Sequence, residues 1–185
     1  MIRIILQFGV IAGLIVALPM LFHWLSLKPG DQPYMDGLLL GYLIMCVALT
    51  AVFLGIKRYR DRVLGGAIRF LPALGVGLAI SAVASVFYVV GWEICMAFGS
   101  FDFAAHYSTA ILEAARNQGE AAVQEAVKQV ESFKELYTNP VTRMSFTFIE
   151  IFPVGVLISL ISAAVLRNSR VLPARAALQQ DPRTP

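Results

Sequence analysis

Four apolar blocks, at residues 4–27, 37–56, 70–98 and 144–166, constrain this chain more than any other feature. Each is long enough to cross a hydrocarbon core of roughly 30 Å. A segment in lipid must satisfy its own backbone N–H and C=O groups, so each block is expected to be a helix. The first, at about 36 Å of helix, is too long for the apolar region of a secretory signal peptide, and no small-residue cleavage pattern follows it. A retained first span is expected. With 58% hydrophobic and 15% charged residues in 185, the chain is too apolar for an ordinary water-soluble globule and has no room for a second large domain. The expected architecture is all-α: a polytopic membrane protein with a single membrane domain over 1–167 and four transmembrane helices.

Lys57, Arg58, Arg60, Arg62 and Arg69 cluster between the second and third blocks, and Arg167, Arg170, Arg175 and Arg183 follow the fourth. Positively charged loops are retained on the cytoplasmic side, so both termini are expected there, in a multi-pass protein of a bacterial inner membrane. The segment at 100–139 then falls on the extracytoplasmic side. Its apolar residues Tyr107, Ile111, Val123, Val127, Val130 and Phe133 recur at helical spacing, Asn117-Gln-Gly119 breaks the pattern, and Asn139-Pro140 ends it. A helical hairpin is expected, resting on the membrane or offering a surface to a protein partner. Residues 168–185, rich in proline and without apolar period, are expected to form a disordered tail. Cys46 and Cys95 lie at different depths and are expected as two small buried side chains.

Small residues recur every fourth position: Gly9, Gly13 and Ala17 in the first block, Gly37 and Gly41 in the second, Ala73, Gly77, Ser81 and Ser85 in the third, Gly155, Ser159 and Ala163 in the fourth. Such stripes let helix backbones approach closely in lipid. Most are expected to serve packing within one protomer and one to serve a homo-oligomer contact.

Ionisable groups inside such blocks are expensive and are functional candidates by default. Counted from the ends of the apolar blocks, His23, Glu93 and Glu150 fall at similar depth and are expected to be able to meet. Pro19 and Pro153 interrupt the helical hydrogen-bond ladder and are expected to kink their helices, leaving the carbonyls of Ile15 and Ile149 free. Carboxylates, an imidazole and free carbonyls are the materials of a proton relay or a cation site. The competing reading hydrates or pairs each group locally, with Glu93 beside Trp92, Glu150 bonded to Arg143 or a serine, and His23 in an interfacial aromatic belt with Trp24.

Lys57, Arg58, Arg60 and Arg62 are candidates for binding anionic lipid headgroups, since membrane-proximal cations attract them. The run lacks interleaved aromatics or a nucleic-acid-binding fold, so no nucleic-acid partner is expected. No phosphate-cradling loop, His-Glu-x-x-His pair, Gly-x-Ser-x-Gly elbow or Cys-x-x-Cys pair occurs, and neither catalytic residues, metal ligands nor a cofactor site is assigned. His106 is the sole further histidine for a metal site.

Gly41-Tyr42, the run Phe53-Leu-Gly-Ile-Lys-Arg-Tyr-Arg60, Gly65-Gly66, Phe87-Tyr88 with Trp92-Glu93, and the run from Phe148 through Glu150, Pro153, Gly155 and Ser159 to Ala163 form a pattern. It resembles the bacterial membrane family catalogued as domain of unknown function 4199, across roughly residues 37–167. The resemblance implies a four-helix bacterial membrane protein and brings no activity or ligand with it. Two functional expectations follow. One is passage of an ion, proton or small molecule through an outward-facing polar cavity lined by Glu93 and Glu150. The other is a non-catalytic accessory or scaffold role for the outer helices and packing faces.

Overall fold

The computed structural model describes residues 1–28, 37–100 and 102–174. Among them are six helices and no strand: α1 (Ile2–Ser26), α2 (Gly37–Val63), α3 (Phe70–Phe98), α4 (Phe103–Arg116), α5 (Glu120–Thr138) and α6 (Pro140–Leu166). Four of them, α1, α2, α3 and α6, are long and apolar enough to cross a membrane. Arg175, Arg183 and the expected tail from residue 175 onward lie outside the described residues.

Two boundaries differ from expectation. α2 continues through the basic run to Val63, so Lys57, Arg58, Arg60 and Arg62 sit on helix rather than loop. Lysine and arginine are good helix formers, and Lys57 pairs with Asp61 one turn on at 2.5 Å. The helix stops where Gly65 and Gly66 adopt positive φ, 70° and 101°, a conformation open mainly to glycine. α6 begins at Pro140 rather than at residue 144: proline suits the first helical turn, and the Asn139 side chain caps it by accepting from the Val141 N–H at 2.9 Å. α1 and α6 run unbroken through Pro19 and Pro153.

The bundle is held by its glycines. A Cβ on Gly9 would meet Val83 Cβ at 2.6 Å, one on Gly13 would meet Phe87 Cβ at 2.5 Å, and one on Gly91 would meet Ala17 Cβ at 3.3 Å. These steps advance together, so α1 and α3 are parallel. A Cβ on Gly77 would meet Ser159 Oγ at 2.8 Å, and one on Gly155 would meet Ser81 Cβ at 2.6 Å. Here each step up α3 matches a step down α6, so these two are antiparallel. The first, third and fourth stripes are thus spent inside the protomer, with α3 packed between α1 and α6. At Gly41 on α2 an added Cβ would meet open space.

Buried serines follow the same seam. Ser81 and Ser159 both donate to the Gly155 carbonyl, at 3.2 and 2.7 Å, and Ser85 donates to the Ser81 carbonyl at 2.9 Å. Each of these three hydroxyls therefore has an acceptor, which burial requires.

Arg60 is fully buried. Its guanidinium donates to Asp61 at 2.7 Å, to the Val171 carbonyl at 2.9 Å, to the Leu172 carbonyl at 2.5 Å and, more weakly, to the Leu166 carbonyl at 3.4 Å. The bonds hold Leu172 in the left-handed region at φ 50°, unfavourable for a residue with a Cβ. The turn over residues 168–174, expected as the start of a disordered tail, is thereby fastened to α2. Arg60 also drops out as a lipid-binding candidate, since its donors are taken. Arg58 and Arg62 remain exposed, whereas Lys57 is half-buried against Asp61.

Candidate functional site

The chemically dense region lies where α4 and α5 meet the ends of α1, α3 and α6. Asp102 starts α4 by accepting from the Ala105 N–H at 2.9 Å, and Gly119, at φ 100°, reverses the chain into α5. The break expected at 117–119 is therefore where the hairpin turns. Its inner faces present Phe103, Tyr107, Phe133 and Tyr137, which interlock with Trp24 of α1 and Trp92 of α3. Ring centroids lie 5.2 Å apart for Trp24 and Trp92, 5.2 Å for Trp92 and Phe103, and 4.6 Å for Tyr107 and Phe133. These are attractive edge-on and tilted geometries for aromatic quadrupoles.

Polar bonds fix the hairpin's position within that cluster. The Trp92 indole N–H donates to the Tyr137 hydroxyl at 2.7 Å. Arg143 donates to the Tyr137 carbonyl at 3.2 Å, and its guanidinium carbon stands 5.8 Å from the Tyr137 ring centroid. The same guanidinium forks onto both Glu93 oxygens, at 2.8 and 2.5 Å, tying α6 to α3. A two-point fork of this kind is the strongest form of arginine–carboxylate contact. Burial pushes the Tyr137 phenol up to about 12, so it stays a neutral hydroxyl at any physiological pH.

The expected meeting of His23, Glu93 and Glu150 does not occur. Gly77 with Ser159, Ser81 with Gly155 and Glu93 with Arg143 share one antiparallel register. By that register Glu150 stands opposite Val86, seven residues from Glu93, or about 10 Å deeper into the bundle. The parallel register of α1 places His23 level with Ala97, about 6 Å to the other side of Glu93. Depth counted from block ends erred because α6 starts four residues earlier than the apolar block. His23 packs edge-on against Trp24, centroids 5.8 Å apart.

Arg143 pairs with Glu93, not with Glu150. Glu150 lies on an exposed face of α6, with the Tyr88 phenol of α3 as its hydrogen-bonding neighbour and Tyr42 of α2 close to that phenol. Tyr88 and Tyr137 are partners that sequence reasoning missed, and Arg143 is a partner it assigned to the other carboxylate. Tyr88 and Arg143 were visible as polar side chains within and beside apolar blocks, but choosing which carboxylate each would reach needed the register.

Two cavities border this region. A groove of about 830 Å³ opens sideways between α3 and α6, lined by Val86, Val90, Ala97, Met144 and Phe148 with the polar Glu93 midway along it. A smaller crevice of about 370 Å³, with Asp102, Lys134, Tyr137 and Arg143 in its wall, lies beside the hairpin. Glu150 lines neither of these two cavities. Cys46 is exposed and Cys95 buried, correcting the expectation that both are buried.

No curated protein and no solved structure matches the chain. One family does, over residues 7–168, which takes in most of α1 as well as the stretch carrying the motif resemblance, and the chain belongs to that family, described as a protein of unknown function (DUF4199).

Proposed function

We propose that this protein is a non-catalytic scaffold of the inner membrane, with α1, α2, α3 and α6 spanning the bilayer and the α4–α5 hairpin presented to a protein partner on the extracytoplasmic side. The carrying observation is the anchoring of the hairpin. Its aromatic faces are consumed in docking onto Trp24 and Trp92, and Tyr137 is bonded from both α3 and α6. An element held that firmly keeps one orientation, and its outward face carries the exposed charges Glu113, Glu125, Lys128 and Glu131. The packing of α1, α3 and α6 through glycine leaves a rigid base, and Gly41 on α2 has room for a contact between copies. The basic residues at the opposite end of the bundle support placing both termini in the cytoplasm. Photocrosslinking residues substituted at Gln124, Lys128 and Glu131 test this in native membranes. A discrete adduct of one mass, lost when Trp92→Ala loosens the hairpin, is expected; no adduct at any of the three positions overturns the reading.

Glu150 favours a second reading, passage of a proton or cation. An exposed carboxylate about 10 Å deeper than the Glu93 pair is a costly group to keep in a bilayer without a use. Proteoliposome flux that is equal for wild type and Glu150→Gln under every gradient that drives wild-type flux rules this out.

A further inference from the structure

We propose that the groove between α3 and α6 is a binding site for a zwitterionic phospholipid, one acyl chain lying in the groove and the headgroup against the charged rim beside the hairpin. This inference is independent of any partner for the hairpin.

The groove exists because α3 and α6 touch closely at only one end of their contact. Around Gly77, Ser81, Gly155 and Ser159 the backbones are in glycine-mediated contact. Further along, the two helices are bridged by the long side chains of Glu93 and Arg143. Between these points the walls are Val86, Val90, Met144 and Phe148, the groove continues past Glu93 to Ala97, and the space amounts to about 830 Å³. That is within the roughly 300–1,000 Å³ typical of sites for small molecules. Walls of this kind do not hold water, and the opening is sideways, along two helices of membrane-spanning length. Hydrocarbon from the surrounding leaflet is the filling that matches.

The rim distinguishes a site from ordinary lipid-covered surface. At the end of α3 the groove wall of Ala97 and Phe98 gives way to the crevice wall of Met96 and Gly99. Two cations, Lys134 and Arg143, and two carboxylates, Asp102 and Glu93, are gathered there. The set is neutral but strongly dipolar. Arg143 and Glu93 already satisfy each other, so the charges left for a headgroup are Lys134 and Asp102 in the crevice wall: a phosphate meets Lys134 and an ammonium meets Asp102. An anionic headgroup without the ammonium leaves Asp102 unmatched.

The test reconstitutes the full chain in phosphatidylcholine vesicles doped with phosphatidylethanolamine carrying a diazirine near the end of one acyl chain, followed by illumination and peptide mapping. Labelling is expected to concentrate on Val90, Met144 and Phe148 at several times the density on Leu6, Leu18 and Phe22 of α1. Ala97→Trp and, separately, Val90→Trp fill the groove from exposed or half-exposed positions and are expected to reduce the groove label at least fivefold. Lys134→Glu is expected to lower it as well, and the corresponding phosphatidylglycerol probe is expected to label more weakly. Equal label density on α1 and in the groove overturns the proposal, as does label unchanged by both tryptophan variants. Equal labelling by the two probes overturns the headgroup assignment, and a crosslink between copies through Val90 or Phe148 in place of lipid label assigns the groove to a second copy.

Discussion

Removing either member of the Glu93–Arg143 fork is expected to destabilise the bundle more than any other single change to a charged residue at the hairpin end. The charges are joined by two bonds, at 2.8 and 2.5 Å, and the side chains are only 19% and 16% exposed. Two unit charges about 4 Å apart at an effective dielectric near 20 attract by about 4 kcal/mol, from which the desolvation of both groups subtracts. Leaving one charge alone in a fully buried setting costs about 3 to 5 kcal/mol, and partial exposure lowers that here to about 2 to 3. Glu93→Gln and Arg143→Gln should each cost this much. The double variant should cost less than the two together, with a coupling energy of about 1.5 to 2.5 kcal/mol. Reversible unfolding in mixed detergent micelles, followed by tryptophan fluorescence, measures all four corners of the cycle, and Trp92, bonded to Tyr137 and next to the fork, reports directly. A coupling below about 0.5 kcal/mol would show that the fork is a solvated surface pair and would refute the reasoning.

Four further outcomes follow. Glu150→Gln should leave stability unchanged or raise it in the same assay, because the amide still offers Tyr88 a hydrogen-bonding group and removes a carboxylate that is costly to hold at that depth. Gly155→Ala should destabilise by about 1 to 3 kcal/mol, since its new methyl would stand 2.6 Å from Ser81 Cβ, whereas Gly41→Ala, facing open space, should be neutral or mildly stabilising; thermal unfolding in detergent compares the two. Tyr137→Phe removes the acceptor of the Trp92 indole and should cost about 1 kcal/mol while speeding amide hydrogen exchange across α5. Arg60→Leu should release the turn after α6, seen as new protease cleavage within residues 168–174 with little change at the hairpin.

Helix number, helix type and the break at 117–119 were legible because apolar run length and glycine placement act locally. The small-residue stripes were legible as packing faces, yet their assignment was not. Nothing local distinguishes Gly13, which lies against Phe87, from Gly41, which faces open space. The candidate site was the least legible part. Its charged groups were visible, but their pairing depended on the α3–α6 register, which the Gly77–Ser159 and Gly155–Ser81 contacts determine from the far side of the bundle. A boundary misplaced by four residues is more than one helical turn, enough to exchange Glu150 for Glu93 as the partner of Arg143. Arg60 shows the opposite limit. A basic run beside a span reads as a surface facing lipid headgroups, and only the returning turn beyond α6 reveals that one member of the run is buried.

The Arg60 clasp also has a bearing on biosynthesis. Two of its carbonyl acceptors lie 111 and 112 residues further along the chain, so they emerge from the ribosome long after α2 has been made. Until then the guanidinium has Asp61 as its partner and stays uncovered by the turn that later buries it. A chain halted before residue 171 would therefore leave Arg60 accessible at the end of α2, and burial of this arginine comes only with the last turn of the chain to be made.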